Sequence, residues 1–194
     1  MLELKCGSNT AIVVLHEIYG INPHIRRVCH EYHAMERDVY CLNLIGRDEP
    51  FSYAQQNEAY RYFIENVGFD TSHIVTLLQT LRPQYDNLIL VGFSVGATLA
   101  WLAARSGLCV RVVCHYGSRI REHSDIAPPC PALVILARHE ASFDTTILQS
   151  ELKKYPNVDS RIFSSHHGFC DGDNANFDAE NADLATRLVH QFIG

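Results

Sequence analysis

The residues best suited to chemistry lie in three stretches far apart along the chain. The first is Gly92-Phe93-Ser94-Val95-Gly96, a G-x-S-x-G. It follows the apolar run "NLILVGF" (87–93) and opens "VGATLAWLAARSG" (95–107), which is rich in small residues. That is the strand–turn–helix context of a nucleophile elbow, in which a sharp turn presents the serine hydroxyl. The turn brings neighbouring chains close together, and glycines on both flanks remove the Cβ atoms that would clash. The bland alternative is a glycine-rich turn in which Ser94 only caps the next helix.

A serine hydroxyl is a weak nucleophile and needs a base within hydrogen-bond reach. "IFSSHHGFCD" (162–171) supplies His166 and His167 near the C-terminus. Consecutive residues point in different directions, so one of the two can face Ser94, and the His-Gly-Phe context favours His167. Cys170 is close in sequence but sits on no strand–helix elbow, so a cysteine–histidine site is not expected. The base needs an acid to orient it. "VILARHEASFD" (134–144) offers Glu140 and Asp144 after an apolar run. Asp144 stands just before "TTILQSELKK", where a carboxylate caps a helix. His16, Glu17, His166 and His167 are residue types that bind metals, yet no H-E-x-x-H or paired Cys/His spacing occurs. No metal and no organic cofactor is expected.

These residues must be held by a scaffold, and the patterning shows its class. "TAIVVLH" (10–16), "VYCLNLI" (39–45), "NLILVGF" (87–93), "CVRVVCHY" (109–116) and "PALVILA" (131–137) are nearly continuous apolar runs. Such runs suit strands covered on both faces. "SRIFS" (160–164) is a further strand. Helices are expected over 23–36, 52–67, 70–82, 95–107, 145–155 and 181–193, with Tyr60, Phe63, Ile64 and Val67 forming the inward stripe of 52–67. Strands alternating with helices imply an α/β protein with a largely parallel sheet. No linker divides residues 1–194, so one domain is expected.

Composition narrows the function. With 47% hydrophobic residues the chain can bury a sizeable core, and its net charge is −6. The basic residues are scattered, which argues against nucleic acid and against an anionic membrane as partners. No signal peptide or membrane span is visible. Seven cysteines without a C-x-x-C pair suit reduced thiols in a cytoplasm. Oligomeric state is not legible.

With these pieces in order, the sequence resembles the dienelactone hydrolase family of α/β hydrolases, from "IVVLHEIYGINPHIRRV" (12–28) to "HHGF" (166–169). The resemblance implies the α/β-hydrolase fold, a mostly parallel central sheet flanked by helices on both faces, without a cap domain. It implies a serine-nucleophile variant, since the family's cysteine is replaced by Ser94. Glu140 takes the place of the family's aspartate, making Ser94, His167 and Glu140 the catalytic set. The backbone amides of Ile18 and Val95 become the oxyanion donors, and Glu17 the acid beside the nucleophile. The frame suggests Arg47 and Tyr19 as substrate contacts. It also places Asp171 where the family has a positive charge, an exchange expected to repel a carboxylate substrate. The activity implied is hydrolysis of a small-molecule ester, lactone or thioester. At 194 residues the chain has little room for a cap, so the site is expected to be shallow or roofed by loops near 46–56. The rival reading is a binding or interaction protein whose catalysis has decayed.

Overall fold

The computed structural model describes residues 1–194. Seven strands form one sheet: β1 (Leu2–Leu4), β2 (Thr10–Leu15), β3 (Asp38–Leu42), β4 (Asn87–Phe93), β5 (Arg111–His115), β6 (Ala132–His139) and β7 (Val158–His166). Their spatial order is β1-β3-β2-β4-β5-β6-β7. β1 pairs antiparallel with β3 at the edge, and every other pairing is parallel. Six helices connect them: α1 (Pro23–Ala34), α2 (Gln56–Asn66), α3 (Ser72–Leu81), α4 (Val95–Ala104), α5 (Thr145–Leu152) and α6 (Ala179–Ile193). This is an α/β-hydrolase fold without a cap domain.

The apolar runs explain the layering. Every residue of β2 is buried. Its alternate side chains enter opposite cores, because successive residues of a strand face opposite sides of the sheet. Ala11, Val13 and Leu15 join Phe63, Leu78 and Trp101 beneath α2, α3 and α4. Ile12 and Val14 join Ile25, Tyr32 and Val189 beneath α1 and α6. No helix is long and apolar enough to cross a membrane.

Several element boundaries differ from the patterning, for local reasons. β3 stops at Leu42 because the Asn43 side chain accepts from Gly46 N–H at 3.1 Å and donates to the Arg47 carbonyl at 2.8 Å, turning the chain. α1 ends at Ala34, and Glu36 just beyond it has φ +60°. β1 is three residues long, too short for a period to be visible. The expected stripe of α2 is only partly inward: Phe63 and Ala59 are buried, whereas Tyr60 and Ile64 are exposed. Ala59 can pack where a large residue could not, and Tyr60 is drawn outward by a bond from Arg119 to its hydroxyl at 2.8 Å.

The topology also fixes where a site can form. From β2 the chain passes to β3 on one side, and β4 lies on the other. The strand order therefore reverses between β2 and β4, and a crevice opens at their carboxyl ends.

Candidate active site

Ser94 occupies the turn between β4 and α4, with φ +54° and ψ −115°. That backbone conformation is costly for a non-glycine residue and persists only where the surroundings impose it. Here they do. A Cβ on Gly92 would lie 2.2 Å from the Gly96 carbonyl oxygen, and one on Gly96 would lie 2.3 Å from the carbonyl oxygen of Leu15. Both positions must be glycine for α4 to start against the end of β2. Ser94 N–H donates to the His115 carbonyl at 2.9 Å, tying the turn to β5. The serine side chain is thus exposed to the crevice and does not cap α4.

His167 and Glu140 reach it from the far side of the sheet. The pairing of β6 with β7 is regular up to Ala137 opposite Phe163, then slips so that His139 faces His166. β7 carries one extra residue across that interval, a bulge that bends the strand end. The residues that follow the last pair are Glu140 and His167, which therefore emerge side by side. Ser94 Oγ lies 2.9 Å from His167 Nε2, and His167 Nδ1 lies 2.8 Å from Glu140 Oε1. The Glu140 side chain is 7% exposed. The His167 carbonyl is held by Asn176 Nδ2 at 2.9 Å, and the following Gly168 has φ +83°. Asp144 takes no part: its Oδ1 accepts from Thr146 N–H at 2.9 Å and Thr146 Oγ1 at 2.7 Å, capping α5. His166 lines the same crevice, but its ring faces His139 at 4.9 Å.

The loop after β2 closes the opposite wall. Ile18 lines the crevice beside Ser94 and Val95, and its amide makes no backbone hydrogen bond. The Val95 amide is the first of α4 and has no acceptor within the helix. Glu17 is buried beside them, and its Oε2 has no hydrogen-bond partner. Burial pushes its pKa up to about 7, with Asp171 adding to the rise and the His167 and Tyr116 side chains opposing it. For His167, burial disfavours the charged ring. The Glu140 hydrogen bond and charge, aided by Glu17, outweigh that, so its pKa is raised.

Two expected substrate contacts fall differently. Tyr19 lines the crevice, its ring meeting Tyr53 edge-on at 4.8 Å. Arg47 does not line it: the guanidinium lies 4.2 Å over the Phe51 ring and 5.8 Å from that of Tyr62. Nor does Asp171 confront a ligand, as the exchange of charge implied. It is fully buried away from the crevice, accepts from the Tyr53 hydroxyl, and sits 3.6 Å from His24 Nδ1 and 3.9 Å from Arg27. His24 and Arg27 are on α1, so the burial depends on a contact distant in sequence.

The sequence missed other parts of the site. Arg119 and Arg121 follow β5 in a 3₁₀ turn (Ser118–Glu122) and line the crevice opposite the histidine loop. Tyr116, also after β5, is buried at φ +42° with its ring 5.0 Å from that of His167. No periodicity or short motif marks these positions. A single glycine after a strand end was the only local cue. The roof is also not the expected one: of the segment 46–56 only Gln56 lines the crevice, and Tyr60 of α2 extends that wall. No three metal-ligating side chains converge, and both ring nitrogens of His16 are engaged by backbone groups.

Comparison with known proteins identifies the family of the chain. The model of the dienelactone hydrolase family matches residues 4–194. The uncharacterized protein YczH of Bacillus subtilis (strain 168) is 32% identical over 170 residues, covering 86% of this chain and 83% of YczH. Among solved structures, the dienelactone hydrolase-like promiscuous phosphotriesterase P91 from metagenomic libraries superposes with a TM-score of 0.74 at 16% identity. That match covers 97% of this chain and 87% of P91. Est1E from Butyrivibrio proteoclasticus gives 0.64 at 13% identity, over 97% and 87% of the two chains. At those identities the structural matches speak for the fold alone, whereas the family match spans nearly the whole sequence. The chain belongs to the dienelactone hydrolase family.

Proposed function

We propose that the protein is a serine hydrolase that cleaves a small ester through an acyl-Ser94 intermediate. The observation that carries this reading is the unbroken line from Ser94 Oγ to His167 at 2.9 Å and from His167 to Glu140 at 2.8 Å. His167 Nε2 takes the hydroxyl proton as Ser94 attacks the carbonyl carbon, and Glu140 stabilises the imidazolium that forms. The amides of Ile18 and Val95 receive the developing oxyanion, which is commonly the largest single catalytic contribution. His167 then gives its proton to the leaving alcohol, and water releases the acyl group by the same steps in reverse.

The crevice limits the substrate. Its volume is about 490 Å³, and only five of its 19 lining residues are hydrophobic. That suits a short acyl group with polar substituents rather than a long-chain lipid, which needs a large apolar enclosure. Arg119 and Arg121 line one wall and share the single carboxylate of Glu122, at 3.0 and 3.3 Å, which leaves one net positive charge there, so an anionic substituent is favoured. With Asp171 buried among its own partners, the obstacle to a carboxylate is removed. Seven free thiols suit a reducing, cytoplasmic setting.

A fluorophosphonate probe tests the reading. Stoichiometric labelling that disappears in Ser94→Ala supports it. A wild type that neither labels nor hydrolyses p-nitrophenyl esters would mean a protein that binds without catalysis.

A further inference from the structure

His16 directly follows β2 and is fully buried, and neither of its ring nitrogens is idle. Nε2 accepts the Leu44 N–H at 2.9 Å, so the proton of the neutral ring is on Nδ1. Nδ1 lies 2.5 Å from the carbonyl oxygen of Glu17, the next residue, and donates to it. Burial lowers the pKa of His16 to about 4, so this neutral tautomer holds across the ordinary working range.

The carbonyl of Glu17 and the N–H of Ile18 belong to one peptide unit. In a planar trans peptide the two point in opposite directions. Whatever fixes the carbonyl therefore fixes the amide. Gly20 N–H adds a longer bond to the same oxygen at 3.4 Å. The carbonyl of His16 itself lies against α4, where a Cβ on Gly96 would come within 2.5 Å of its oxygen. This contact sets the 16–18 segment beside the amide of Val95.

We propose that His16 is the positioning residue of the oxyanion site: by holding the Glu17 carbonyl inward it turns the Ile18 N–H toward the oxygen of the carbonyl group that Ser94 attacks. The inference rests on the acyl-serine reading above. His16 touches no substrate and moves no proton. Its contribution is to have one donor aligned before the transition state forms, which is where such donors are effective.

The test compares His16→Leu, His16→Asn and His16→Gln with wild type on p-nitrophenyl acetate. An asparagine amide stands near the place of Nδ1 and can donate to the Glu17 carbonyl. A glutamine amide stands near Nε2 and can serve only Leu44. His16→Leu should lose about 100-fold in kcat, as for loss of one oxyanion donor. Its KM should stay within about threefold, because the interaction is made in the transition state. Affinity for an aryl boronic acid, which forms a tetrahedral adduct with the serine, should fall in step with kcat. His16→Asn should recover most of the rate and His16→Gln little of it, and the pH profile of His16→Asn should keep the wild-type shape. A folded His16→Leu with wild-type kcat overturns the proposal. So does a His16→Asn no faster than His16→Gln, a comparison that still decides if His16→Leu does not fold. A wild type without turnover overturns the acyl-serine reading and this inference with it, whereas an active wild type indifferent to His16 overturns this inference alone.

Discussion

Replacing Glu17 by Gln should stabilise the protein in a pH-dependent way. Glu17 is 3% exposed, and burial raises its pKa from an ordinary 4.5 to about 7. Between those values the folded state holds a proton that the unfolded chain has released. Stability associated with Glu17 is therefore fully present below about pH 4.5 and is lost as pH rises to about 7. At about 1.4 kcal/mol per pH unit, the loss totals about 3 kcal/mol, a sizeable share of a typical folding free energy. Glutamine keeps the shape and cannot ionise. The difference in unfolding free energy between Glu17→Gln and wild type, from urea denaturation at pH 5, 6, 7 and 8, should grow in favour of the variant. It should level off above the folded pKa. A difference that stays constant across that range would refute the reasoning, because it would mean that the buried carboxyl titrates like an exposed one.

Four further outcomes follow from the geometry. Glu140→Gln should lower kcat by about 10³-fold or more while the thermal melt is preserved. Asp144→Ala should leave kcat within about twofold and cost about 1 kcal/mol, as expected of a lost helix cap. Gly96→Ala must separate α4 from the end of β2, because its Cβ would lie 2.3 Å from a carbonyl oxygen. It should cost about 3 kcal/mol in urea unfolding and abolish turnover in any fraction that folds. Arg119→Ala should raise KM about tenfold for the p-nitrophenyl monoester of a dicarboxylic acid and leave KM for p-nitrophenyl acetate unchanged.

The parts of this site that are legible in sequence are those set by local geometry. Ser94 is marked because a nucleophile elbow needs its glycines within two residues, and the contacts of Gly92 and Gly96 show why. Asp144 is marked because a cap must directly precede its helix. His167 and Glu140 are marked by their places after β7 and β6, although what brings them together is a strand slip that no pattern records. Arg47 and Asp171 were placed by family position, and their partners decided otherwise. Arg47 stacks on Phe51 and Tyr62, while Asp171 is enclosed by Tyr53 and α1. Arg119 and Tyr116 gave no signal because their roles arise from the packing of α2, β5 and the histidine loop around them. The sheet was readable for a simpler reason: strands buried on both faces must be apolar throughout. The edge strand β1, paired on one side only, was not.

The central claim is a covalent acyl group on Ser94, and it can be weighed directly. The protein is mixed with excess p-nitrophenyl acetate, quenched in acid within the first turnover, and examined by intact mass and peptide mapping. One acetyl group on the peptide carrying Ser94, formed with a stoichiometric burst of p-nitrophenol and absent in Ser94→Ala, is the predicted result. An acetyl group found on Cys170, or turnover that persists in Ser94→Ala, would contradict it.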